Sequence, residues 1–175
     1  MKLIFLDFDG VLNSLKWMRT QDPQTSICTH TDIDPVAVAR LMDIVNATDA
    51  YIIVSSSWRK VCMLPELQDI LGHHGVPRHR IIGSTPSLAT AGQAQQERGD
   101  EISWTVKTWR LYRHPIESFV ILDDGDDMGT LIHRLVLTGF NDGLLDKHVE
   151  QALKILDDPW EPDLELADVS FSPVS

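Results

Sequence analysis

Cysteine is nearly missing from this sequence: Cys28 and Cys62 are the only two, with no further Cys near either. That excludes a disulfide-built scaffold and a cysteine zinc site, and fits reduced thiols in a cytoplasmic protein. No apolar run approaches the roughly 20 residues of a membrane span. The first residues enter a strand-like segment directly, without a basic region or a small-residue cleavage site, so neither a membrane contact nor a secretory signal is expected. Internal repeats and low-complexity linkers are also lacking. Positive charge is in short supply, with 15 Lys and Arg against 26 Asp and Glu and a net charge of -11. This argues against loose, charge-driven binding of nucleic acid or anionic membranes. The imbalance is local, however. Asp157, Asp158, Glu161, Asp163, Glu165 and Asp168 lie in a terminal stretch (155–175) without Lys or Arg. Asp7, Asp9, Asp123, Asp124, Asp126 and Asp127 fall in two short motifs. The rest of the chain is close to balanced, so a polyanionic substrate is not excluded.

What is present is an ordinary globular composition, 43% hydrophobic and 23% charged, at a length that fits one domain with a full core. Strand-length hydrophobic runs alternate with segments of helical period. KLIFLDF, YIIVS, RIIGS, SFVILDD and RLVLTG read as strands. DPVAVARLMDIVNAT reads as a helix with Asp34 as N-cap, Pro35 at its first position, and an inner stripe of Val38, Leu41, Met42 and Val45. LPELQDILGHHG reads as a helix closed by glycine. GDEISWTVKTWRLYR reads as one capped by Asp100, with Ile102, Val106 and Trp109 inward. LLDKHVEQALKIL reads as the last, with Leu145, Val149, Leu153 and Leu156 on one face. This alternation predicts an α/β fold: a three-layer sandwich around a five-stranded, mainly parallel sheet. The domain is expected over 1–157, with 158–175 an acidic tail.

Ligands of such sheets sit at the carboxyl ends of the strands. The first strand ends in DFDG, the second in SSSWR and the fourth in DDGDD, so three polar sets distant in sequence should converge on one edge. Several carboxylates in one cleft repel one another unless protons or a cation neutralise them. An all-oxygen donor set without His or Cys suits a hard cation, and Mg²⁺ fits best because it takes one or two carboxylates, keeps waters and binds phosphate oxygens.

The motifs DFDGVLN, IIVSSSWR and FVILDDGDDM, in this order and each after a hydrophobic strand, resemble the haloacid dehalogenase-like (HAD) superfamily of phosphohydrolases. More narrowly, SSSWR, RGDEI and FVILDD resemble the small capless HAD domain of Swiss army knife RNA repair proteins. The resemblance implies a Rossmann-like phosphatase with an aspartyl-phosphate intermediate. Asp7 would be the nucleophile, ionised and so competent at neutral pH. Asp9 would protonate the leaving group and then deprotonate water. Strand periodicity would point both side chains the same way, and Gly10 would let the chain turn beside the substrate. Ser55 would bond the phosphoryl group, with Ser56 as the register alternative and Arg59 reaching phosphate or a remote part of the substrate. Arg98 would supply the cation. Its competitor, Lys107, lies about two turns into the helix, roughly 10 Å along the axis at 1.5 Å per residue. The metal set implied is Asp7, Asp9 through its backbone carbonyl, and Asp124, with Asp123 in support and Asp127 bonded nearby.

Each motif also has a plainer reading. Asp-x-Asp-Gly is common turn chemistry, serines cap helices, and GHHGVPRHR is ordinary surface-loop composition. The 14–33 stretch is long enough for a hairpin-like flap and too short for a packed cap. The polar 84–99 stretch reads as a mobile loop over the site. An uncapped site would admit a nucleotide or a nucleic-acid end. Two other functions remain open: a phosphoacceptor signalling domain, to which Asp9 is an objection, and a catalytically silent binding module.

Overall fold

A computed structural model describes residues 1–21, 28–88, 97–112 and 115–161. Five parallel strands form one sheet in the order β3-β2-β1-β4-β5: β1 (Lys2–Leu6), β2 (Tyr51–Val54), β3 (Ile81–Ser84), β4 (Ser118–Asp123) and β5 (Leu135–Leu137). The order reverses beside β1. The chain builds outward through β2 and β3, then crosses to β4 on the other side. The carboxyl ends of β1, β2 and β4 therefore stand next to one another at the switch point.

Alternation along β1 divides the core. Ile4 and Leu6 face α2 (Pro35–Thr48), α3 (Leu64–His73) and α5 (Asp146–Asp157), among Val38, Leu41, Leu67, Leu71 and Leu156. Leu3 and Phe5 face the opposite layer with Ile102 and Val106 of α4 (Arg98–Tyr112), Phe119 and Trp160. Helices thus cover both faces, as strands apolar on both sides require. Among the described residues there is no second domain, and no helix is long and apolar enough to cross a membrane.

Several local expectations change. The buried stripe of α2 includes Ala37 and Ile44, while Met42 is only half-buried. On α5 the predicted Leu156 is buried and Val149 and Leu153 pack partly buried against the core, while His148 and Ala152 join the buried face. His148 Nδ1 accepts the Leu145 N–H at 3.0 Å, and burial holds the imidazole below its usual range. The 14–33 stretch begins as the single-turn α1 (Leu15–Met18) and ends as a 3-10 turn (His30–Asp32), with no hairpin among its described residues. Leu15 N–H and Lys16 N–H donate to the carbonyls of Phe140 and Asn141, which docks α1 on the loop after β5.

The fold also continues past 157. Trp160 is buried edge-on against Phe119, and its N–H donates to the Glu117 carbonyl at 2.7 Å. The buried Arg134 donates to the carbonyls of Asp158 and Pro159. An apolar ring and two carbonyl acceptors hold this segment despite its charge. The rest of the expected tail, 162–175, and the centre of the expected mobile loop, 89–96, lie outside the described residues.

Candidate active site at the carboxyl edge of the sheet

β1 stops at Leu6, and its last pairing hands the chain into the site: Asp7 N–H donates to Leu122 O at 2.9 Å and Ser55 N–H to Leu6 O at 2.8 Å. Register alone thus sets Asp7 between the ends of β2 and β4. Past it, the N–H groups of Val11, Leu12 and Asn13 converge on the Phe8 carbonyl. This tight turn is possible because Gly10 adopts φ +69°. A Cβ at Gly10 would overlap the Asp124 carboxylate, so glycine also lets the two loops meet. Thr138 Oγ1 fastens the turn by donating to Gly10 O at 2.8 Å.

Asp7, Asp123 and Asp124 each present an oxygen within 4.8 Å of the others, and the first two are buried. Arg98 is the neighbouring cation: Nη2 donates to Asp7 Oδ2 at 3.3 Å, and Nε lies 3.6 Å from Asp123 Oδ2, too far for a hydrogen bond. Asp123 Oδ2 and Arg98 Nη1 are both buried without a hydrogen-bond partner. Burial raises the Asp7 carboxyl above its ordinary range, against the pull of Arg98. Burial, and then the charge of Asp7, push Asp123 up to about 7. Asp124 rises too, through burial and the charge of Asp9. One guanidinium therefore under-compensates three carboxylates. A divalent cation fits them: the donors are hard oxygens, and one buried oxygen lacks any bonding partner.

The Asp9 side chain lies outside the carboxylate cluster, in keeping with a metal contact expected through its backbone carbonyl. β1 ends at Leu6, before both Asp7 and Asp9. The Asp9 carboxylate accepts from Asn13 Nδ2 at 2.8 Å, Trp58 Nε1 at 3.1 and 3.2 Å, and Ser57 Oγ at 3.3 Å. Asp123, expected only in support, is one of the clustered carboxylates.

The serine pair divides its contacts. Ser56, the register alternative, hydrogen-bonds Asp7 and accepts the Trp58 N–H at 3.4 Å. Ser55 is buried, and its hydroxyl accepts from Thr85 Oγ1 at 3.4 Å. Arg59, expected to reach substrate, is instead ion-paired with Glu101 of α4 and donates to the carbonyls of Ser56 and Pro86. Its side chain is only 6% exposed, so a burial-matched carboxylate claims it. That pair braces the turn after β2 against the helix carrying Arg98.

α4 begins at Arg98, not at the Asp100 cap expected from sequence. Asp127 caps it from the loop after β4. Its Oδ2 accepts Arg98 N–H at 3.0 Å and its carbonyl accepts Gly99 N–H at 3.0 Å. The cap acts across 29 residues, so no local pattern signals it. Lys107 is half-buried on the third turn, and Arg98 is the residue bonded to Asp7. Trp104, expected to pack, is partly solvent-exposed, whereas Trp58 is buried edge-on against Phe8. Asn13, Thr85 and Thr138 went unnoticed in the sequence, although Asn13 closes the DFDGVLN motif.

This is the geometry of an α/β domain with strand-end carboxylates gathered at the switch point. A sequence profile for the HAD domain in Swiss Army Knife RNA repair proteins matches residues 3–149, and the chain belongs to that family. No curated protein and no solved structure matches it.

Proposed function

We propose that this protein is a Mg²⁺-dependent phosphomonoesterase that works through a phosphoryl group carried on Asp7. The observation that carries the reading is the meeting of Asp7, Asp123 and Asp124 beside Arg98, with too little positive charge to balance them. Asp7, Asp123 and Asp124 would hold the ion, which when bound neutralises these carboxylates and draws charge from phosphate oxygens.

Asp7 Oδ attacks phosphorus. Its position is held by the Phe8 N–H at 2.7 Å and by the Ser56 hydroxyl. Arg98 faces the charge that spreads over the phosphoryl oxygens. Ser55 Oγ accepts from Thr85, which leaves its own proton to donate to phosphate. Asp9 gives a proton to the departing alcohol. It then takes one from the water that attacks phosphorus and frees Asp7.

The substrate proposed is the terminal phosphate of a nucleic acid, or a nucleotide. The family's association with RNA repair supports this, as does the lack of a cap domain among the described residues. The test is phosphate release with Mg²⁺ across 3′- and 5′-phosphorylated oligonucleotides, nucleotides, sugar phosphates and phosphopeptides. Chelator-sensitive turnover, fastest on the nucleic-acid ends, is the expected result. Turnover that persists in chelator contradicts the metal reading, and preference for a sugar phosphate contradicts the substrate class.

A further inference from the structure

Asp9 stands apart from the three clustered carboxylates because it is fully engaged elsewhere. We propose that Trp58 is a positioning residue: its indole N–H aims the Asp9 carboxyl group at the leaving oxygen, and the site's ability to expel poor leaving groups depends on it. The inference rests on the reading of Asp9 as the proton donor.

The Trp58 N–H reaches both Asp9 oxygens, at 3.1 and 3.2 Å, which fixes the plane of the carboxylate as well as its position. Indole can only donate, so the contact cannot reverse. The ring is itself immobilised, 6% exposed and packed edge-on to Phe8 with centroids 5.0 Å apart. Asn13 grips Oδ1 from the other side. Its amide orientation is set by Gly10 N–H, which donates to Asn13 Oδ1 at 3.1 Å. Ser57 is the one member of this cradle whose hydroxyl can either donate or accept, so it can accept from Oδ2 when Asp9 carries its proton.

The chemistry makes the role separable. In the first step the bond from Asp7 Oδ to phosphorus forms and the bond from phosphorus to the leaving oxygen breaks, while the Asp9 proton moves to that oxygen. In the second, water oxygen bonds phosphorus, its proton goes to Asp9, and the Asp7–phosphorus bond breaks. An aryl oxide departs as a stable anion and needs little of that proton. An alkoxide, such as the oxygen of a ribose, needs it fully.

The experiment compares kcat for an alkyl phosphate and p-nitrophenyl phosphate. Trp58→Phe keeps the ring against Phe8 and removes the N–H. It should lower the alkyl-to-aryl ratio by about 10- to 100-fold, a fraction of what general acid catalysis supplies. Ser57→Ala, at an exposed position, should move the ratio in the same direction by less, which guards against misfolding of the tryptophan variant. In an Asp9→Asn background, Trp58→Phe should leave the ratio where Asp9→Asn alone puts it, because both changes remove one function. Equal losses on both esters, or a further drop in the double variant, would overturn the inference and leave the phosphatase reading intact. A wild-type protein that hydrolyses neither ester would overturn both.

Discussion

The two edges of the sheet are built on opposite electrostatic rules. At the amino edge the ion pairs described set one cation against one anion: the N-terminal ammonium with Glu117, Arg80 with Asp49, and Arg134 with Asp158. Arg80 also lies over the Tyr51 ring at 5.3 Å. At the carboxyl edge three carboxylates crowd one arginine. The pH dependences differ in sign. The N-terminal ammonium holds Glu117 below the usual carboxylate range, so its contribution to stability is present above its unfolded pKa and is lost as pH falls through the folded one. Asp123 is raised to about 7. The folded protein therefore retains a proton that the unfolded chain releases, and stability declines as pH rises from about 4 to about 7. One edge is arranged for stability, while the other gives up stability to gather three carboxylates beside one arginine.

The largest effect should come from breaking the crowded edge at its centre. Asp7→Asn should cut phosphate release by on the order of 10⁴-fold or more, as removal of a nucleophile does, measured by steady-state turnover with Mg²⁺. Arg98→Ala should come next, lowering kcat/KM by about 10²- to 10³-fold, the usual cost of removing a preorganised charge-stabilising group. Asp123→Asn sharpens the comparison without relying on activity. In metal-free protein it should flatten the decline of Tm between about pH 4 and about 7 and raise Tm at neutral pH, read by thermal unfolding in chelator. The smallest effect belongs to the paired edge. Asp49→Asn, which removes the charge and suits the left-handed backbone at that position, should cost about 1 kcal/mol or less in denaturant unfolding, as exposed ion pairs do, and should leave kcat unchanged.

Where the information is local, the sequence is legible. Hydrophobic runs of strand length give all five strands to within a residue or two. The rule that ligands gather at strand carboxyl ends then brings Asp7, Asp123 and Asp124 together, and the family resemblance adds Arg98. What escapes is what depends on partners far along the chain. The α4 cap is Asp127, on a loop after a different strand. Arg59 is claimed by Glu101, which lies 42 residues away. Trp160 packs because Phe119 and Arg134 wait for it, a fact that the acidic composition around it conceals. Asp9 lies past the end of β1, and its carboxylate is held by Trp58, 49 residues away.

The central claim is that a phosphoryl group resides on Asp7 during turnover. Acid-quenched mass spectrometry of the protein mixed with p-nitrophenyl phosphate and Mg²⁺ tests it most directly. The account predicts one hydroxylamine-labile phosphoryl group, mapped to the peptide containing Asp7, which appears during turnover and disappears when substrate is exhausted. Sustained phosphate release with no such adduct, or an adduct on another residue, would contradict it.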